Sequence, residues 1–216
     1  MTRFLDTFTD TLVPIKPYQI LDTAGHNTLR ELRRRNLAMY MGLRPGDIKE
    51  IQAIANEGGI REFCPEDLSR RFAGTEHTRA WLGKGRTMFQ FRELGTGALA
   101  AYGCAGDKTC KEIPDQDTTL SLRASERFTG QGIGKLATLA IIAATTEIIG
   151  ARNIGLKTWA SNGAAVKTYL RSGATLVTSR DECRPTLYPA PNETDGMRRD
   201  VILFMSFGRT FRPADT

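Results

Sequence analysis

A run of closely spaced glycines directly before a long apolar segment constrains the fold of this chain more than any other feature. Residues 129–134 read TGQGIG, and KLATLAIIAATTEII follows at 135–149. Glycine is costly inside regular elements but suits tight turns, and Gly150 stands where helices commonly end. Together with an alternating segment at 118–125, the pattern predicts a strand, a glycine-rich turn and a helix over about 130–149.

Two familiar phosphate loops do not fit this turn. The dinucleotide fingerprint G-x-G-x-x-G fails because Lys135 stands where the third glycine belongs. The P-loop G-x-x-x-x-G-K-[ST] fails at Thr129 and at Leu136. What remains is the physics that those motifs share: the first amides of a helix lack an internal acceptor and can converge on an anion. A turn that only lets strand and helix pack closely is the alternative.

Periodicity and turn residues elsewhere predict a single α/β domain over residues 1–216. Strands are predicted at 17–23, 86–94, 98–105, 118–125, 153–160, 174–179 and 201–207. Helices are predicted at 27–41, at 46–57, from Pro65 to near Gly74, at 130–149 and at 162–172. A proline-containing loop is expected at 180–200, as a lid over an acceptor site or as a dimer contact.

Composition and charge indicate a globular chain with an anionic partner. The chain has 216 residues, 40% of them hydrophobic, and a formal net charge of +6. A basic balance favours a phosphorylated cofactor, an acidic substrate or nucleic acid. The densest basic patch, RRR at 33–35, lies on a predicted helix and is interpreted as a solvent-exposed face.

The spacing of cysteines and histidines predicts no metal site. The four cysteines fit neither a zinc ribbon nor a CxxC pair, and neither of the two histidines has a second ligand nearby in the sequence. These residues are Cys64, Cys104, Cys110, Cys183, His26 and His77. No apolar run approaches the roughly 20 residues that cross a bilayer, and the first residues lack a secretion signal. We therefore expect a cytoplasmic protein without membrane contact.

A second segment gives the glycine run a more specific meaning. SNGAAVKTYLRSGA at 161–174 places Asn162 at a predicted helix start and ends the helix at Gly173. Together the two segments resemble the GNAT superfamily of acyl-CoA-dependent N-acyltransferases. The family's cofactor loop reads [QR]-x-x-G-x-[GA], and its second motif reads roughly N-x-x-A-x-x-x-Y-x-x-x-G-[FA]. The resemblance is clear from about 86 to 178. It departs at Thr129, where the family carries Arg or Gln.

The resemblance implies a fold and a cofactor site. The fold would be α/β, with a mixed, mostly antiparallel central sheet flanked by helices and splayed at the acyl-CoA site, between 118–125 and 153–160. Acetyl-CoA would be the cosubstrate, without a metal. Its pantetheine is assigned to Leu122, Arg123 and Ala124, its phosphates to Thr129, Gly130, Gln131, Gly132, Ile133, Gly134 and Lys135, and further contacts to Asn162, Ala165 and Lys167. Lys135, Lys167 and Arg171 are candidates for the positive charge that Thr129 does not supply.

The resemblance also implies catalytic roles. Tyr169 matches the family's general acid, which protonates the departing CoA thiolate; a core tyrosine is the alternative. Glu126 is the acid nearest to the strand from which family members often supply a base, and a surface glutamate is its alternative. By strand alternation Arg123 faces the acceptor side, where we expect it to pair with a substrate carboxylate.

Three functions stay open at this point. The first is acetylation of a primary amine of a small molecule, of an amino-acid-like kind. The second is acetylation of a protein amine or of aminoacyl-tRNA, for which the RRR patch and the net charge of +6 speak. The third is a non-catalytic acyl-CoA-binding module. A homodimer is compatible with all three, and nucleic acid is the less favoured partner.

Overall fold

The structure is a computed structural model, and it describes residues 8–106, 110–187 and 196–208. The strands are β1 Val13–Pro14, β2 Leu37–Met41, β3 Arg86–Glu93, β4 Leu99–Gly106, β5 Thr118–Ala124, β6 Ile154–Trp159, β7 Thr175–Pro185 and β8 Met197–Phe207. The helices are α1 Thr23–Arg34, α2 Ile48–Ala55, α3 Gly58–Phe63, α4 Thr75–Leu82, α5 Ile133–Ala144 and α6 Gly163–Arg171.

One eight-stranded sheet organises the chain, in the order β1-β2-β3-β4-β5-β6-β8-β7. The pairs are antiparallel except for β5 with β6, which is parallel. The parallel pairing covers only Thr118 with Ile154 and Thr119 with Gly155, whereas β5 stays paired with β4 as far as Ala124. The expected mixed, mostly antiparallel sheet that opens between these two strands is thereby confirmed.

Helices cover both faces of the sheet. On one face α1, α5 and α6 pack over the largest apolar cluster, which includes Leu32, Ile141 and Tyr169. On the other face α2 and α4 enclose a smaller cluster around Phe72 and Met88. The gap between β5 and β6 therefore lies in the middle of the sheet, between two helical layers.

Close approach of α1 to α5 fixes the relative position of these two helices. A Cβ atom on Gly25 would lie 2.6 Å from the Cβ atom of Ala143, near the end of α5. At the opposite end, Arg35 directly follows α1 and its Nη1 would lie 3.8 Å from a Cβ atom on Gly132, directly before α5. The two helices are therefore antiparallel, and the end of α1 meets the beginning of α5.

The sequence-based interpretation of the first 41 residues was partly wrong. The segment 17–23 is not a strand: Pro17–Gln19 forms a short helical turn, and the Asp22 carboxylate caps α1 by accepting a hydrogen bond from the Gly25 amide at 2.7 Å. The helix predicted over 27–41 ends at Arg34. Asn36 adopts a positive φ of 60°, a conformation that interrupts a helix, and the chain continues as β2.

Two other predicted segments also differ from the structure. The helix expected from Pro65 to near Gly74 is a single wide turn, Asp67–Arg71, and α4 begins directly afterwards. The loop expected over 180–200 is largely a hairpin, because β7 continues to Pro185 and β8 begins at Met197. Most of β7 is an exposed edge strand, so its polar residues give no apolar alternation. Pro189 and Pro191 lie outside the described residues.

The sheet contains a glycine whose replacement tests the packing of α5. A Cβ atom on Gly103 of β4 would meet the Ser121 carbonyl oxygen and would lie 2.6 Å from Cδ1 of Ile141. We expect Gly103→Ala to lower the free energy of unfolding by about 1–3 kcal/mol, because overpacking forces backbone shifts. Urea unfolding of Gly103→Ala and of Gly46→Ala, whose Cβ would meet nothing within 4 Å, measures this. Equal stability of the two variants would contradict the account.

Candidate active site

The edge of β5 that faces the gap carries backbone groups that β6 does not bind. The Ser125 amide donates to the Ala100 carbonyl at 2.9 Å, towards β4. Because successive amides of a strand point in opposite directions, the amides of Leu122 and Ala124 point into the gap. Pairing of β5 with β6 covers only the first two residues of β5 in the described chain. The gap therefore presents hydrogen-bonding groups to an extended ligand.

Tyr169 lies at this edge, brought there by α6. The Asn162 side chain caps α6 as predicted, accepting from the Ala165 amide at 3.2 Å. Tyr169 is 6% exposed. Burial raises the pKa of Tyr169 to about 12, although the positive charge of Arg123 and a hydrogen bond with the Leu122 backbone oppose the rise. The hydroxyl group therefore holds its proton at neutral pH and lies at the opened edge.

A buried carboxylate, Asp67, organises the side of the gap opposite to α5. Its Oδ2 accepts from Arg123 Nε at 2.9 Å and from the Tyr102 hydroxyl at 2.9 Å, and its Oδ1 accepts from Arg71 Nη1 at 2.6 Å. Burial raises the pKa of Asp67, but the two arginines and the Tyr102 hydrogen bond outweigh it, so the pKa lies below its usual value. Asp67 is therefore an anion at neutral pH.

Arg123 lies on the face that alternation predicted. Its side chain is 13% exposed and points away from the α5 side of the sheet. Besides Asp67, it contacts the Leu122 carbonyl oxygen, to which Nη1 donates at 3.1 Å. The guanidinium group thus lies beside the same stretch of β5 that Tyr169 reaches. We expected Arg123 to pair with a substrate carboxylate. For Nε, the partner is Asp67 of the protein itself.

A small cavity opens next to this cluster. It is shallow and partly open to solvent, and its lining includes Arg71, Trp81, Ser121 and Arg123. The Arg71 guanidinium lies over the Trp81 ring at 5.7 Å from its centroid. The cavity thus combines two guanidinium groups with an aromatic surface, next to the point where the strands part.

The glycine-rich turn forms the start of α5. Gly130 and Gly132 have φ angles of 79° and 74°, values that only glycine adopts without strain. Gly134 lets α6 approach, since a Cβ atom there would lie 3.4 Å from Cγ2 of Thr168. No side chain caps α5 at Gly132. The first amides of α5 thus lack both an intrahelical acceptor and a side-chain cap, which suits an anion.

The remaining predicted cofactor residues fall into two groups. Thr129 and Gln131 are exposed on the turn, whereas Ile133 is 2% exposed in the core. Lys135 is half-buried on α5, and Lys167 is exposed on α6. The structure therefore gathers the two sequence motifs at one end of the gap, although Ile133 presents only its backbone there.

Glu126 lies on an exposed turn after β5, where it belongs to a clasp with α3. Its Oε1 accepts from the Gly59 amide at 2.7 Å. In return, the Glu57 carboxylate accepts from the Ser125 hydroxyl at 2.7 Å and from the Glu126 amide at 2.6 Å. The carboxylate assigned as a base therefore has a partner in α3, and its catalytic role stays a prediction.

The other end of α3 is held by a buried arginine that the sequence analysis did not single out. Arg184, 2% exposed, donates from Nη1 to Glu62 Oε1 at 2.6 Å and from Nε to Asp200 Oδ2 at 2.8 Å. Glu62 also accepts from the Leu187 amide at 2.7 Å. Helix α3 is thus fastened at one end to the turn after β5 and at the other to the β7–β8 hairpin, on the far side of the gap.

A sequence signal existed for Asp67 but not for its position. An arginine between Leu122 and Ala124 in a half-buried strand needs a carboxylate partner, because an unpaired buried charge is costly. The sequence does not say which acid supplies it. Asp67 lies within the helix predicted from Pro65, and Tyr102 lies within the strand predicted at 98–105.

In the described part of the chain, no group of three or more His, Cys, Asp and Glu side chains is placed to hold a metal ion. Among the same residues, no helix is both long and apolar enough to span a membrane.

Solved structures share this arrangement of strands and helices. An acetyltransferase of the GNAT family from Streptococcus pneumoniae superposes with a TM-score of 0.54 at 18% identity, over 78% of this chain and 98% of that one. Spermidine N-acetyltransferase from Vibrio cholerae, in complex with CoA and spermine, gives 0.62 at 16% identity, over 80% and 95%. The chain has the GNAT fold. The resemblance carried by the two motifs is therefore confirmed for the fold.

A third GNAT-like structure broadens the range of acceptors among these neighbours. The ribosomal-protein-S5-alanine acetyltransferase from Vibrio fischeri gives a TM-score of 0.62 at 12% identity, over 81% of this chain and 93% of that one. No family model and no curated protein matches the sequence. At such low identities the likeness concerns the fold, and the acceptor has to be argued from the residues of the gap.

The ion pairs of Asp67 make the free energy of unfolding depend on pH in the acid range. Its pKa in the folded state lies below 3.8, so the stabilisation is present above about pH 4 and is lost as the pH falls through the folded-state pKa. We expect Asp67→Asn to weaken this acid dependence and to lower stability at pH 7 by about 3–5 kcal/mol, because two arginines lose their anion. Urea unfolding between pH 2 and pH 7 measures both effects.

The matched control for Asp67 is an exposed ion pair. Glu76 contacts Arg79 with its side chain 80% exposed, and surface pairs of this kind contribute little. Glu76→Gln is expected to leave both the stability at pH 7 and the acid dependence close to those of the unmodified chain. An Asp67→Asn variant that behaves in the same way would contradict the role given to Asp67.

Proposed function

We propose that this chain transfers an acetyl group from acetyl-CoA to the primary amine of a small molecule. The observation that carries the proposal is the unpaired edge of β5, with the Tyr169 hydroxyl against the Leu122 backbone and the uncapped start of α5 nearby. The GNAT fold supports it, since one of the solved neighbours holds CoA and spermine.

The proposed cofactor position follows from two sets of backbone donors. The amides at the start of α5 and of the turn from Thr129 to Gly134 would bind the diphosphate, helped by the helix dipole. The pantetheine would lie along β5 and bind Leu122 and Ala124 as an added strand. Asn162, Ala165 and Lys167 of α6 would border it. In this position the thioester reaches the part of β5 that Tyr169 contacts.

The transfer itself would be a direct displacement. The acceptor nitrogen forms a bond to the acetyl carbonyl carbon, and the bond from that carbon to the CoA sulfur breaks. A backbone amide of β5 in the gap would stabilise the developing oxyanion. Tyr169 would give its proton to the departing thiolate. The amine must first lose a proton, and Glu126, or water at the mouth of the gap, would accept it. After the attack the nitrogen would lose a second proton, which returns through water to the Tyr169 oxygen and leaves a neutral amide, the CoA thiol and the Tyr169 hydroxyl group.

The acceptor proposed is an amine that carries a carboxylate, as an amino acid does. The cavity beside β5 is lined by both Arg71 and Arg123. Asp67 occupies Arg123 Nε and the Leu122 carbonyl oxygen accepts from Nη1, so a substrate carboxylate would reach Nη2. The test is a panel of matched pairs, each an amino acid and the amine that lacks only its carboxylate. Preference for the amino acids supports the proposal, and equal or reversed preference contradicts it.

Acetylation of a macromolecule is the second candidate. The net charge of +6 and the S5-alanine acetyltransferase among the neighbours favour it. If the acceptor were aminoacyl-tRNA, binding would weaken steeply with salt, because each phosphate contact releases counterions. A carboxylate-bearing small amine would show a much smaller salt effect. Measuring acceptor KM at several salt concentrations therefore separates the two candidates. Cofactor binding without turnover of any amine would favour a non-catalytic module instead.

Removal of the Tyr169 hydroxyl tests the proposed acid. We expect Tyr169→Phe to lower kcat by about 10²–10⁴-fold, the usual contribution of a general acid, with a much smaller change in KM for acetyl-CoA, because the ring still fills its site. Thiol release from acetyl-CoA measures the rate. Tyr18→Phe, at a tyrosine that is 76% exposed, serves as the control. Unchanged kcat in Tyr169→Phe would assign the residue to the core only.

A further inference from the structure

The first position of the glycine-rich turn at 129–134 does not carry the Arg or Gln that is usual in the GNAT superfamily. Thr129 stands there, and its hydroxyl group brings no charge to a diphosphate. Backbone amides alone can bind an anion, but charge-assisted hydrogen bonds are stronger. A guanidinium group from another part of the chain would strengthen anion binding at the start of α5.

Arg35 lies at that position. Its Nη1 donates a hydrogen bond to the Gln131 carbonyl oxygen, within the turn itself. The antiparallel contact of α1 with α5 explains why: about ten residues separate Gly25 from Arg35, and about eleven separate Gly132 from Ala143, so both helices advance by about 15 Å. Close contact at one end therefore brings Arg35 to the turn at the other end.

We propose that Arg35 binds the diphosphate of acyl-CoA in place of the side chain that Thr129 does not provide. The inference rests on the proposed function. In the structure Arg35 donates from Nε to Glu31 Oε1 at 2.9 Å and from Nη1 to the Gln131 carbonyl oxygen. A guanidinium group has five N–H donors, so it can hold the turn and also reach an anion at the first amides of α5. Its side chain is 43% exposed, which leaves it accessible to a ligand.

The neighbouring arginines provide a matched control. Arg34 has the same charge and also pairs with Glu31, at 3.5 Å, but its side chain is 77% exposed. Arg35 contacts the turn, whereas the side chain of Arg34 extends into solvent. The RRR patch at 33–35, which was interpreted as a solvent-exposed face, therefore contains one residue with a separate role.

The experiment compares Arg35→Met, Arg35→Lys and Arg34→Met in the full chain. Calorimetry gives the Kd of CoA and of 3′-dephospho-CoA, and turnover gives kcat/KM for S-acetylpantetheine, which has no diphosphate. We expect Arg35→Met to raise the Kd of CoA by about ten-fold or more. Arg35→Lys should raise it by less, and Arg34→Met by less than two-fold. The loss of affinity in Arg35→Met should also occur with 3′-dephospho-CoA. The kcat/KM for S-acetylpantetheine should be unchanged in this variant. Thermal unfolding of each variant verifies the fold.

Three results would overturn the inference. Equal CoA affinity in Arg35→Met and Arg34→Met would remove the special role of Arg35. A loss that disappears with 3′-dephospho-CoA would move the contact to the 3′-phosphate. An equal loss with S-acetylpantetheine would indicate general damage to the site. In all three cases acetyl-CoA still binds the unmodified chain, so the proposed function stands; if the unmodified chain binds no CoA, the proposed function fails as well.

Discussion

The early separation of β5 from β6 is the constraint on which the candidate site depends. The strand pairs β3 with β4, β4 with β5 and β6 with β8 each extend over six or seven residues, but β5 loses β6 after Thr119. A buried amide or carbonyl without a partner costs about 1–3 kcal/mol. Tyr169 meets the Leu122 backbone, and an extended ligand could meet the rest. The gap is thus both a defect in the sheet and the place where a thioester would be held.

Arginine–carboxylate contacts hold the side of the gap opposite to α5 in position. Asp67 links a turn after α3 to β5 through Arg123, and Glu62 links α3 to the hairpin through Arg184. The side chains of these four residues are at most 13% exposed. Buried pairs of this kind contribute to position more surely than to net stability. The wall opposite α5 therefore depends on charges, whereas the α5 side depends on apolar packing.

The sequence predicted the parts of the fold whose signals are local. The hairpin of β3 and β4 follows from two apolar runs around a glycine turn. The helix predicted over 130–149 is α5 followed by a wide turn, Thr145–Ile149, which ends at Gly150. The strand β2 was missed because the apolar residues of 37–41 continue the helical spacing of α1, and only the positive φ of Asn36 separates them. The hairpin of β7 and β8 was missed because an exposed edge strand needs no apolar alternation.

The candidate site could be predicted only where a motif carries it. Tyr169 and the turn from Thr129 to Gly134 were assigned to the site because two motifs resemble those of the GNAT superfamily, and their roles stay predictions. Asp67 and Arg35 were not assigned to the site, because their contacts with Arg123 and Gln131 join segments far apart in sequence. Such contacts depend on helix packing and strand order, which a single sequence does not encode locally.

Amide hydrogen exchange with and without CoA tests the central claim most directly. If the open edge of β5 and the start of α5 bind the cofactor, CoA should slow exchange at the amides of Ala124 and of the turn from Gly130 to Gly134, and leave the edge strand β7 unchanged. Each amide that gains a hydrogen bond to the ligand should exchange more slowly. Protection confined to other surfaces, or absent at saturating CoA, would contradict the account.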